Sequence, residues 1–330
     1  MLRIIILHVV VVLGLWFNIT VFWAYTKHKN RNLHVFEMTQ TLLGILFSLL
    51  NVYYCYTAIN DVEMKGTGCT IYGFLSGTLS LMSVYQPALM ALEWCVIVIQ
   101  PFMAKCITCT NRVVAVCGSA ITILAVTIPP LFGIPSEYSS FDHVDFCCYD
   151  FTARDLKTRL FFFYLFTLGF FIPIAIFVLS LFLMCKQIRK SPEEVHKPLR
   201  VTTSAANIAK HRERSIAQKM FTLISVQLVC WSPFAIVTFT TNFIEQINLR
   251  YYTESAGLFA KFFVVLSPMV LFWKDLRATK MFQCFRGRNH TANSSSYLNP
   301  NVLGNNDAML RHFAISQEFF GIAETMLTHP

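Results

Sequence analysis

Seven apolar segments, each long enough to cross a bilayer, leave this chain few folds to choose from. They run over Ile4–Tyr25, Val35–Ala58, Cys69–Pro101, Arg112–Phe132, Leu160–Met184, Ser215–Phe243 and Ser255–Trp273. About 20 apolar residues span a hydrocarbon core, where every backbone N–H and C=O must pair within its own segment, so each stretch reads as a helix. The third contains Pro87, which predicts a kink. The composition agrees: 55 % of the 330 residues are hydrophobic and 14 % charged, with 31 phenylalanines and a mean hydropathy of +0.52. A water-soluble chain of this length is more polar. The expected fold class is an all-α membrane protein, a bundle of seven transmembrane helices.

Loop charge predicts the orientation. Lys27, Lys29 and Arg31 lie in the first loop, and Lys105 and Arg112 in the second. Lys186 to Arg214 follow the fifth span, and Lys274 to Arg288 follow the seventh. All fall on one side, which is expected to be cytoplasmic. The opposite loops carry Asp61, Glu63, Glu137, Asp142, Asp145, Asp150 and Glu245. Residues 1–3 then form a short outer N-terminus, and 4–273 the membrane domain. A short amphipathic eighth helix is expected over 274–286 on the inner leaflet, with Cys284 as a candidate for palmitoylation. A polar, disordered cytoplasmic tail is expected over 287–330. The net charge of +9 is thus a membrane-surface feature facing anionic lipids and cytosolic partners, not a nucleic-acid footprint. Cys106-x-x-Cys109 has metal-like spacing but lacks a second pair.

One charge breaks the pattern. Lys261 lies well inside the last apolar run, roughly 20 Å along the helix from Lys274. An ammonium at that depth is costly and needs a partner, a wet cavity or a chemical role. It snorkels toward the nearer mouth, or it serves as a desolvated nucleophilic amine that forms an imine with an aldehyde. The stretch alone leaves both readings open.

Several motifs occur together and in order. Gly14-x-x-x-Asn18, Cys69, Glu93, Pro173, Cys230-Trp231-Ser232-Pro233 and Ser267-Pro268 resemble the landmarks of rhodopsin-class G-protein-coupled receptors over about residues 10–285. Phe259-Ala260-Lys261 with Pro268 seven residues on, Gly68-Cys69, Gly73-Phe74, Pro129-Pro130-Leu131-x-Gly133 and Cys147-Cys148-Tyr149-Asp150 resemble the animal opsins, in a divergent form of invertebrate type. The resemblance implies 11-cis-retinal held as a Schiff base on Lys261, with Trp231, Phe234, Tyr72 and Gly73 around it. It also implies a disulfide from Cys69 to the second outer loop. Counting back from Asp150 favours Cys147 over Cys148. Partners by the same resemblance are a heterotrimeric G protein and arrestin, with a plasma-membrane location.

The chain departs from the family at several points. The family's third-span counterion position is Tyr72, so the counterion is expected from the hairpin loop, Asp142 first. Glu254 is the second candidate, seven residues before Lys261 on the same helical face and about 10 Å away. In the Glu-Arg-Tyr motif the arginine is replaced: the sequence reads Glu93-Trp94-Cys95. The Asn-Pro-x-x-Tyr motif reads Ser267-Pro268-Met269-Val270-Leu271. The second-span aspartate position falls on Leu46 and the fifth-span tyrosine on Leu181. Glu213 matches the sixth-span acid, with no arginine expected between it and Glu93. Altered G-protein coupling is therefore expected. The alternatives are an orphan receptor for a diffusible ligand and a photoisomerase-like opsin without signalling. An amine ligand is disfavoured because the amine-binding aspartate position holds Ser76. A light-driven pump is disfavoured because Ser76–Leu92 has no carboxylate.

Overall fold

The structure is a computed structural model. It describes residues 2–28, 31–60, 62, 64–140, 147–151, 155–189, 203–244 and 252–272, with the backbone alone at 2, 31, 101, 105 and 188 and over 203–215. The chain forms two units, Met1–Val270 and Leu271–Pro330. Of the second, only Leu271 and Phe272 are described; the helix bundle and its cavity belong to the first. The expected eighth helix at 274–286, Cys284 and the tail at 287–330 lie outside the described residues.

Seven helices long and apolar enough to span a membrane are present among the described residues. They are α1 (Leu2–Lys27), α2 (Val35–Ile59), α3 (Gly66–Ile99) and α4 (Cys109–Thr127). In α5, Leu156–Phe166 continues through a π turn at Thr167–Phe171 into Ile172–Arg189. The last two are α6 (Thr203–Phe243) and α7 (Thr253–Phe272). The outward faces remain apolar, as with Val12, Trp16 and Ile19 of α1, which suits a lipid solvent and no other.

Local chemistry sets several boundaries. Thr108 caps α4 by accepting the Asn111 N–H, and Asp155 caps α5 by accepting the Thr158 N–H at 3.0 Å. The bonds from Thr158 hold the Asp155 carboxyl below its usual range, as expected for an anion at a helix N-terminus. α3 runs on through Pro87. In α5 the π turn takes the Leu168 carbonyl out of the regular ladder, and Tyr85 of α3 donates to it at 2.6 Å. Gly169 in that turn lies so close to α3 that a Cβ would meet Leu81 at 2.5 Å.

Two further contacts position α7. Asn18 donates to the carbonyls of Gly14 at 2.7 Å and Val264 at 2.9 Å, which ties α1 to α7 one turn past Lys261. Arg3, in the first turn of α1, is ion-paired with Glu254 in the first turn of α7. The position counted as the second-span core site needs correction. Leu46 is exposed on the outer face, and Phe47 is the residue that turns inward. A one-residue error rotates a helical side chain by about 100°, enough to exchange core for lipid.

A short hairpin closes one end of the bundle. Strands β1 (Tyr138–Ser140) and β2 (Cys147–Tyr149) pair antiparallel, Ser140 opposite Cys147 and Tyr138 opposite Tyr149. Tyr138 donates its hydroxyl to the Thr127 carbonyl at 2.9 Å, and Asn242 of α6 donates to the Phe151 carbonyl at 2.8 Å. These bonds seat the hairpin across the helix ends.

Candidate functional site

Beneath the hairpin is a cavity of about 190 Å³. Its side walls are largely aromatic. Phe162, Phe166 and Phe170 come from α5, and Trp231 and Phe234 from α6. The Trp231 and Phe234 rings meet edge to face with centroids 6.4 Å apart. Tyr138, Cys148 and Tyr149 form the lid, and Gly73 of α3 lies under it. A Cβ at Gly73 would meet the Tyr138 ring at 2.8 Å, so the hairpin can sit this low only over glycine. The Trp231 Nε1 is buried without a protein partner among the described residues.

Lys261 projects into this cavity from α7 and is 9 % exposed. Of the two readings of its sequence position, the snorkelling one is not what the structure contains. The amine donates to Asn51 Oδ1 of α2, and to the Tyr72 hydroxyl of α3 at 3.3 Å. Tyr72 in turn donates to the same Asn51 oxygen at 3.3 Å. The Nζ also lies over aromatic faces, 4.6 Å from the Tyr54 centroid and 5.8 Å from that of Phe47. Asn51 and Tyr54 were not singled out from the sequence. The available signal was Asn51 itself, a polar side chain in mid-span.

Cys69 at the head of α3 is joined by a disulfide to Cys147 in β2, the partner favoured by counting back from Asp150. Cys148, opposite in strand alternation, faces the cavity as a free thiol. Burial and the Asp150 charge push that thiol well above its usual pKa. A thiol kept neutral attacks disulfides poorly, so the neighbouring bridge is protected from exchange. Cys69→Ala and Cys147→Ala are each expected to lose about 2–5 kcal/mol of stability and to reach the cell surface poorly. Cys148→Ala should be milder in both respects. A reversed order for the last two, in surface labelling and thermal unfolding, would move the bridge to Cys148.

The other expected residues fall as follows. Asp142, between the two strands, lies outside the described residues. Glu254 is engaged by Arg3. Of Glu213, only its place in the α6 backbone is described. Leu181 and Trp94 pack against a cluster of Cys95, Val98 and Met184. Glu93 nonetheless has an arginine from outside the motif: Arg112 reaches it from the first turn of α4, with Nε 2.9 Å from Glu93 Oε1. Arg112, which the sequence placed among the solvated loop charges, is only 4 % exposed. The partner was missed because it lies 19 residues away, outside the motif.

Comparison with known proteins agrees with this geometry. The model of the 7 transmembrane receptor (rhodopsin family) matches residues 2–270, and the chain belongs to that family of receptors. It is similar to "Rhodopsin, GQ-coupled" of Mizuhopecten yessoensis, 24 % identical over 71 % of this chain and 49 % of that one. It is also similar to the rhodopsin of Todarodes pacificus, 24 % identical over 78 % of this chain and 60 % of that one. A third relative, the melanopsin of Branchiostoma belcheri, is 23 % identical over 78 % of this chain and 38 % of that one. The chain thus spans about half the length of the curated relatives it matches. The crystal structure of squid rhodopsin shares the fold, with a TM-score of 0.74 at 22 % identity over 82 % of this chain and 80 % of that one.

Proposed function

We propose that this chain is a light-sensing receptor of opsin type that binds 11-cis-retinal as an imine on Lys261. The observation that carries this reading is the position of the Lys261 amine, which ends inside an aromatic-walled cavity rather than at a mouth of the bundle. An apolar cleft with one nucleophilic amine suits a long apolar aldehyde. The Lys261 Nζ attacks the aldehyde carbon, a C=N bond replaces C=O, and the oxygen leaves as water. Retinal supplies the light absorption. Trp231 and Phe234 would pack along the polyene, and Tyr72 and Gly73 would border its attached end. The hairpin lid would keep water from hydrolysing the linkage. Asp142 is the proposed carboxylate partner of the protonated imine, with Glu254 second.

The lysine and arginine bias supports a multi-pass protein with the hairpin end outside and the C-terminus inside, and the opsin reading puts it in the plasma membrane. Residues 274–286 and 287–330 are proposed as an inner-leaflet helix and a cytoplasmic tail. Proposed partners are membrane lipids, arrestin and a heterotrimeric G protein. Coupling to the last is proposed to be altered, because Trp94 stands where the family's switch arginine would be. The same substitution, with Glu93 committed to Arg112, favours a second reading: a photoisomerase-like opsin that does not signal.

One preparation tests the core of the proposal. Purified protein incubated with 11-cis-retinal should acquire a new absorbance band. Borohydride reduction and digestion should then find the retinyl mass on the Lys261 peptide. Absence of any adduct would remove the opsin reading and favour a receptor for a diffusible ligand.

A further inference from the structure

A protonated imine in a membrane core is a buried cation, and something must offset its desolvation. Among the described residues, the structure puts three aromatic rings directly around the lysine nitrogen. Tyr54 is closest, its ring centroid 4.6 Å from Nζ, with Phe47 at 5.8 Å and Tyr72 at 6.0 Å. All three rings are buried, Tyr54 at 7 % exposure and Tyr72 at 1 %. They come from two helices. Phe47 and Tyr54, seven residues apart, share one face of α2, while Tyr72 comes from α3. Asn51 lies between the two α2 rings in sequence. Its Oδ1 takes the N–H, and its Nδ2 donates to the Phe47 carbonyl at 2.7 Å, which fixes the amide. Glu254, on the same helix as Lys261, is drawn to Arg3 at the bundle's end. A ring face attracts a cation through its quadrupole, and does so most strongly when both are out of water.

We propose that, beside the carboxylate proposed above, the positive charge of the Lys261 retinal imine is held by an aromatic cage, with Tyr54 as its principal face, Phe47 and Tyr72 as flanks and Asn51 Oδ1 as the hydrogen-bond acceptor. The inference rests on the proposed retinal linkage. It assigns to Tyr54 a positioning role that depends on its ring and not on its hydroxyl. It also makes the visible absorbance depend on an α2 residue that is not a carboxylate.

The test compares Tyr54→Phe, Tyr54→Leu and the unmodified full chain, each loaded with 11-cis-retinal. Absorbance is read at each pH of a series, and the Lys261 adduct is read by reduction and mass spectrometry. The adduct should form in all three. Tyr54→Phe should keep the visible band. Tyr54→Leu should lower the ratio of visible to ultraviolet absorbance by about tenfold or more at some pH of the series. If Tyr54→Leu fails to fold, Phe47→Leu replaces it, with a smaller loss expected. Three results would overturn the cage: a Leu variant that carries the adduct and absorbs as the unmodified chain does, a Phe variant that loses the band as fully as Leu, or an unmodified adduct absorbing only in the ultraviolet. An unmodified chain with no adduct on Lys261 overturns the retinal reading itself, which is a different result from these three.

Discussion

Lys261→Met should take up no retinal covalently, a complete loss in the borohydride and mass-spectrometry assay, while remaining folded. Both halves follow from the geometry. The cavity offers no second amine among its described lining residues, so nothing there replaces the nucleophile. Stability should not fall, because the groups around Nζ already have other partners. Tyr72 donates to Asn51 Oδ1 at 3.3 Å, and Asn51 Nδ2 holds the Phe47 carbonyl. An unbranched apolar side chain of similar length fills the same space among Phe47, Tyr54 and Tyr72, and an intramembrane amine is removed. Thermal unfolding of the retinal-free variant should match or exceed that of the unmodified chain. Retinal on another residue of the Met variant would show that the cavity amine is not the attachment site.

The seven spans could be read from the sequence because bilayer thickness acts on composition, and composition needs no tertiary information. Val35 and Phe243, for example, begin and end helices where the apolar runs predicted. Lys261 stood out for the same reason, as a charge where hydrocarbon tolerates few. Its surroundings were not legible. Asn51 and Tyr54 meet Lys261 only because the fold brings their side chains on α2 to the amine on α7, a contact between residues 210 positions apart. Leu46 and Phe47 show how fine the limit is. Both are large and apolar, and only the rotation of α2 decides which faces the core. The disulfide was easier, since counting back from Asp150 favoured Cys147 over its neighbour Cys148, and Cys147 is the residue bridged to Cys69.

Arg112→Leu is expected to destabilise the bundle by about 3–5 kcal/mol, the usual cost of removing one partner from a buried ion pair. The Arg112 and Glu93 side chains are 5 % and 11 % exposed, so the orphaned carboxylate could not recover its hydration. Nε and Nη2 of Arg112 both bond Glu93 Oε1, with Nε at 2.9 Å. Nη1 reaches the carbonyls of Asn32 at 3.4 Å and Ile107 at 3.3 Å. One guanidinium therefore ties α3 and α4 to the loop before α2 and to the loop before α4. Lysine has no planar fork to reproduce this, so Arg112→Lys should recover only part of the loss. The Arg3–Glu254 pair provides the contrast. Arg3 is 58 % exposed, and Arg3→Ala should cost under about 1 kcal/mol. Joining Glu93→Gln to Arg112→Leu should cost less than the two singles added together, because the unpaired charge is then gone. Thermal unfolding in detergent compares all five variants. If Arg112→Leu melts with the unmodified chain, the pair does not clamp this end of the bundle. If the double variant melts as the sum of the singles, the two side chains are not coupled.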